Sequence, residues 1–227
     1  MASREFEVVL FDIDGTLLKT GGASDRAWAH AVRDFYDVDY DVGAHTGRGV
    51  PDPEVGRIVL RDVLGREPTG RELLRLMRRR MKYLPDEVER SPGYQVKPGV
   101  RELLERLTAE DYLVGLTTGN LEPAAHAKLR RGGLDHYFSF GGYGSDAERR
   151  VDLTRRAIER ARRLAGEELP SSAILAVGDT PRDVEAGHGA GIKVVGVATG
   201  EYSVAELDGA GADWTVPTLA EGLPPLK

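Results

Sequence analysis

Cysteine is absent from all 227 residues. Disulfides, thiolate nucleophiles and cysteine-ligated zinc or iron–sulfur centres are therefore excluded. Also missing is any apolar run near the roughly 20 residues that a membrane-spanning helix needs. The opening MASREFEVVLFD runs directly into a charged strand and has no secretion-signal pattern, so a soluble cytoplasmic protein is expected. There is no excess of positive charge. A net charge of −6 argues against a general nucleic-acid binder, and neither nucleic acid nor membrane is an expected partner. One local basic run does occur, Arg71, Arg75, Arg78, Arg79, Arg80 and Lys82. It is interleaved with Leu73, Leu74, Leu76 and Met77 and reads as the solvated face of an amphipathic helix.

With 41% apolar and 30% charged residues, the chain is an ordinary soluble globular one that can bury a proper core. Short Val/Leu/Ile-rich runs lie at Val8–Phe11, Tyr112–Leu116, Ala173–Val177 and Lys193–Val197, with weaker ones near Phe138–Phe140 and Asp213–Val216. Without polar alternation they read as strands buried on both faces of a parallel sheet. Helical periodicity fills the gaps, at Val100–Leu107, Pro123–Arg131, Leu153–Leu164 and Asp183–Ala190. The alternation predicts an α/β fold, a doubly wound parallel sheet. Residues 20–92 break the rhythm. They hold helical patterns at Ala23–Tyr36, Pro53–Leu64 and Gly70–Leu84 but no convincing strand. The reading is therefore an α/β core at 1–19 and 93–227 with an inserted α-helical cap at 20–92. Such an insertion would lie over the carboxyl ends of the strands, where open α/β sheets bind ligands. The proline-rich tail at 223–227 is expected to be poorly ordered.

Chemistry concentrates at the strand ends. Asp12 and Asp14 follow Val8–Phe11 and precede Gly15-Thr16. Alternate residues of a strand share a side, so both acids can face one volume. Two neighbouring carboxylates repel unless a cation or a shared proton compensates. Mg²⁺ suits such a site, because it favours one or two carboxylates together with substrate phosphate oxygens. Thr118, Gly119 and Asn120 follow the second strand and offer a hydroxyl and amides to phosphate oxygens. Asp179 stands in a glycine turn after a third strand, and Asp183 opens the next helix, where it also suits the helix dipole.

DIDGT at Asp12–Thr16, the strand ending in Thr118-Gly119-Asn120, and GDTPRD at Gly178–Asp183 occur in that order over nearly the whole chain. Together they resemble the haloacid-dehalogenase-like (HAD) phosphatase superfamily, within it most the phosphoglycolate-phosphatase-like branch with a helical cap after the first strand. The resemblance implies Asp12 as the nucleophile that forms an aspartyl-phosphate and Asp14 as the acid and base. It implies Asp12, Asp179, Asp183 and the backbone carbonyl of Asp14 around Mg²⁺, and Thr118 with Gly119 and Asn120 holding the phosphoryl group. The substrate so implied is a small phosphorylated metabolite. Because the family's dehalogenases generally lack the second acid and the metal, Asp14 and Asp179 weigh against that chemistry. A sugar phosphomutase and a catalytically weak binding module remain as alternatives.

One departure stands out. The family usually places a lysine before the helix that precedes the last motif, and this chain has none between Lys128 and Lys193. An arginine can supply the same charge with a planar, longer reach. Arg150 is the expected substitute and Arg149 the fallback. In the cap segment, Gly47-Arg48-Gly49 before Pro51-Asp52-Pro53 suggests a substrate-facing loop, with Arg48 gripping a substrate carboxylate or phosphate.

Overall fold

The computed structural model describes residues 5–165 and 169–226. Strand β1 (Val8–Phe11) leads to a small antiparallel ribbon, β2 (Leu18–Lys19) against β3 (Gln95–Val96). Between the ribbon strands lie α1 (Ala23–Tyr36), α2 (Val42–His45), α3 (Asp52–Leu64) and α4 (Gly70–Arg90). The chain then alternates through α5 (Val100–Ala109), β4 (Leu113–Thr117), α6 (Glu122–Arg131), β5 (Gly141–Gly142), α7 (Arg150–Ala165), β6 (Ile174–Gly178), α8 (Pro181–Gly189), β7 (Lys193–Val197), α9 (Val204–Gly209) and β8 (Trp214–Val216). No helix among the described residues is long and apolar enough to cross a membrane.

The main sheet has six strands in the order β5-β4-β1-β6-β7-β8, all parallel. Residues of β1 are fully buried and alternate between two cores. Val9 and Phe11 join Leu104, Leu129 and Val195 on one face, while Val8 and Leu10 join Ala157, Ile158 and Val184 on the other. Burial on both faces is the physical reason that these strands show no polar alternation. Strand order reverses beside β1, so the carboxyl ends of β4, β1 and β6 flank a crevice of the kind that open α/β sheets use for ligands.

The inserted helices have their own core around Trp28, Val32, Val59, Leu60 and Leu76. A second cluster ties them to the sheet domain, packing Leu84 and Val88 of α4 against Leu121 and Ala124 at the start of α6. That contact explains one difference from the periodicity. Helix α4 does not stop at Leu84 but runs through Pro85 to Arg90, because burying Leu84 and Val88 offsets the lost proline hydrogen bond. Arg80 likewise leaves the expected solvated face; it is fully buried and ion-paired to Asp52 at 2.7 Å.

Two further expectations are corrected. The weak strand near Phe138–Phe140 lies directly after it, at Gly141–Gly142, where glycines fit because a Cβ at 141 would press on Leu116. The tail is packed as far as Leu226, Lys227 lying outside the described residues: Leu223 is fully buried and Pro224–Leu226 forms a 3₁₀ turn, anchored by apolar burial that the prolines concealed.

Candidate active site

Three strand ends and the first turns of two helices converge. Asp12, at the end of β1, is 5% exposed, and its amide donates to the Val177 carbonyl of β6. Asp179, at the end of β6, is buried and accepts from the Thr16 hydroxyl at 2.8 Å. Gly15 lies over that carboxylate with φ of 93°, a conformation open to glycine, and any Cβ there would collide with Asp179. Asp183 has two duties. Its Oδ2 closes a capping box, accepting from the Thr180 amide at 3.0 Å and hydroxyl at 2.7 Å, and its Oδ1 faces Arg150.

Carboxylate oxygens of Asp12, Asp179 and Asp183 lie within 4.8 Å of one another, all buried. The electrostatics reflect the crowding. Burial, with repulsion from Asp183 and Asp14, pushes the Asp12 carboxyl up to about 7 against the pull of Arg150. Burial and repulsion from Asp12 and Asp183 push Asp179 up to about 8. Hard oxygen donors that repel each other this strongly fit a divalent cation of the Mg²⁺ kind.

Arg150, the first residue of α7, enters the same volume with a side chain 10% exposed. Its guanidinium donates to Asp12 Oδ1 at 2.8 Å, to Asp183 Oδ1 from Nε at 3.1 Å, and to the Gly49 carbonyl of the inserted segment at 2.9 Å. The two carboxylates outweigh the burial penalty and hold its protonated form more firmly than usual. Arg149 turns to solvent and pairs with Asp152 instead.

Thr118, Gly119 and Asn120 follow β4 and reach the same crevice. Asn120 Nδ2 donates to Thr118 Oγ1 at 2.8 Å and to Asp14 Oδ2 at 2.7 Å. Lys128 went unnoticed in the sequence. Its ammonium, from α6, donates to Asp14 Oδ2 and Asn120 Oδ1, both at 2.6 Å. Burial pushes the Asp14 carboxyl up, but Lys128 and Asn120 more than offset this and hold it below the usual range. The signal was present as a lysine on an otherwise apolar helical stripe, Ala124, Ala125, Lys128 and Leu129, all buried.

Arg48 is not brought onto the carboxylate cluster. It lies at the seam between inserted segment and sheet domain, 64% exposed, with Nε on Glu201 at 2.7 Å. Asp52 makes the tighter contact at that seam. Its amide donates to the Gly119 carbonyl at 2.8 Å, and its carboxylate accepts from the Leu121 amide at 2.9 Å and from buried Arg80. Gly119 permits this approach, since a Cβ there would come within 2.9 Å of Pro51 Cα.

A family model described as haloacid dehalogenase-like hydrolase matches residues 6–191. The chain belongs to that family. The phosphoglycolate phosphatase of Synechococcus elongatus is 30% identical over 222 residues, covering 95% of this chain and 94% of that protein. The pyrophosphatase PpaX of Bacillus cereus is 26% identical, covering 98% of this chain and 97% of the relative. Among solved structures, CbbY from Rhodobacter sphaeroides in complex with phosphate superposes with a TM-score of 0.75 at 20% identity, covering 97% of this chain and 99% of that one. These place the fold, with its helical insertion, among the HAD-like hydrolases, and this chain is a phosphatase of that family.

Proposed function

We propose that the protein is a Mg²⁺-dependent phosphomonoester hydrolase that acts on a small phosphorylated metabolite through an aspartyl-phosphate. The observation that carries this reading is Arg150 on Asp12. A buried carboxylate is held at 2.8 Å from a buried guanidinium, beside two further acids and a hydroxyl–amide loop. Such a set neutralises a phosphate dianion as it approaches a nucleophile.

Asp12 attacks phosphorus in line, forming an O–P bond while the P–O bond to the alcohol breaks. Asp14 takes up a proton as the phosphate dianion binds, delivers it to the departing oxygen, then removes one from the water that opens the acyl phosphate. Thr118 and the amides of Gly119 and Asn120 grip the phosphoryl oxygens. Arg150 keeps the nucleophile and the incoming phosphate from repelling each other. Asp12, Asp179, Asp183 and the Asp14 carbonyl would hold Mg²⁺, which supplies further charge neutralisation when bound.

Phosphoglycolate is the first substrate to try, by similarity to the relatives of that name. Arg48 would grip its carboxylate only after parting from Glu201. Hydrolysis of p-nitrophenyl phosphate is expected to require Mg²⁺ and to vanish in Asp12→Asn. Activity surviving in EDTA, or in that variant, would refute the mechanism. A panel of phosphorylated metabolites ranked by kcat/KM then names the substrate.

A further inference from the structure

Lys128 is a buried ammonium that the mechanism above does not use. Its side chain is 3% exposed, yet α6 would pack an apolar residue there at lower cost. Its protons go to Asp14 Oδ2 and Asn120 Oδ1, and Asn120 returns a proton donor to the same Asp14 oxygen. The result is a closed ring of Lys128, Asn120 and Asp14, tied through Asn120 to Thr118. Two donors hold Asp14 Oδ2, while Oδ1 has no hydrogen-bond donor among the described residues. The carboxylate is therefore anchored by one oxygen and open at the other, on a side chain still 41% exposed.

We propose that Lys128 is a positioning residue for Asp14, fixing Oδ2 so that Oδ1 alone exchanges the proton with the leaving group. The inference rests on the phosphatase mechanism given above. Asp14, ionised in the free enzyme, takes up a proton from water on Oδ1 as the phosphate dianion binds. As the P–O bond breaks, its electron pair stays on the alcohol oxygen, which takes that proton. The carboxylate left behind has its negative charge stabilised at Oδ2, the oxygen that Lys128 and Asn120 already bind. Arg150 serves the nucleophile and Lys128 serves the acid, so the site has two buried cations with separate tasks.

This division predicts a dependence on the leaving group. p-Nitrophenolate departs without much help from an acid, whereas an alkoxide needs the proton. Lys128→Met should lower kcat by about 10²-fold on an alkyl phosphate such as 2-phosphoglycolate or glycerol phosphate, but by less than about fivefold on p-nitrophenyl phosphate. KM should change little, and Lys128→Arg should restore part of the alkyl rate. The assay uses the full chain with saturating Mg²⁺, after thermal melts confirm that each variant is folded. If Lys128→Met does not fold, Lys128→Gln, uncharged and similar in length, takes its place and should show the same selective loss. Equal losses on both substrates, a change confined to KM, or no loss would overturn the proposal. Asp12→Asn is run in parallel. Activity in that variant refutes the mechanism itself, whereas an inert Asp12→Asn with an unselective Lys128→Met refutes only the role of Lys128.

Discussion

Arg150 and Arg149 are adjacent in sequence and separated by environment. One is buried on Asp12, the other is 72% exposed on Asp152. Arg150→Ala is expected to lower kcat about 10²–10³-fold, the scale set by losing a preorganised charge at a phosphoryl site. Arg149→Ala should stay within about twofold, as exposed pairs contribute little. Steady-state kinetics on p-nitrophenyl phosphate separates the two, and a larger effect from Arg149 would move the assignment by one residue. The acids and Arg150 were legible because strand ends and helix starts are local patterns. Lys128 was only half legible: its apolar stripe marks it as inward-facing, but a snorkelling lysine gives the same pattern and its partner Asp14 is 114 residues away.

The junction of α3 with the β4–α6 loop turns on Asp52. Its carboxylate serves the Leu121 amide and the guanidinium of Arg80, whose Nε has no hydrogen-bond partner among the described residues and whose face stacks over Trp28 at 4.6 Å. Asp52→Ala leaves a buried cation unpaired. It should cost about 3–5 kcal/mol, seen as a lower Tm in thermal denaturation. Adding Arg80→Met should recover part of that loss, because the stranded charge goes with it. The strands and most helices were readable from apolar runs and glycine stops. Their seams were not: Arg80 sits in a run of exposed and half-buried arginines and differs from them only by tertiary placement. The same limit applied to Arg48, whose partner Glu201 lies on a loop that no helical or strand pattern marks.

At the scale of the whole molecule, the acid cluster links folding to pH and metal. Asp12 and Asp179 are raised from 3.8 to about 7 and about 8, so between those limits the folded state holds protons that the unfolded chain has released. The pair therefore costs nothing below about pH 4, destabilises increasingly as pH rises, and reaches its full penalty above about pH 8. A bound divalent cation removes that penalty. The rise in Tm on adding Mg²⁺ should accordingly be larger at pH 8.5 than at pH 6, and EDTA should abolish it at both. A metal-induced shift that shrinks as pH rises would contradict the arrangement. Another feature at this scale is the ribbon of β2 and β3, only two residues on each side. Pairing β1 with β4 demands closure of a chain segment of roughly 105 residues, from Val8 to Leu113. Once Leu18 has met Val96, about 78 of those residues are already bypassed, and the remaining closure is cheaper by about 1 kcal/mol. The ribbon is thus a hinge pin for the insertion: it divides one long closure into two shorter ones, the first spanning the four helices and the second only the residues that remain.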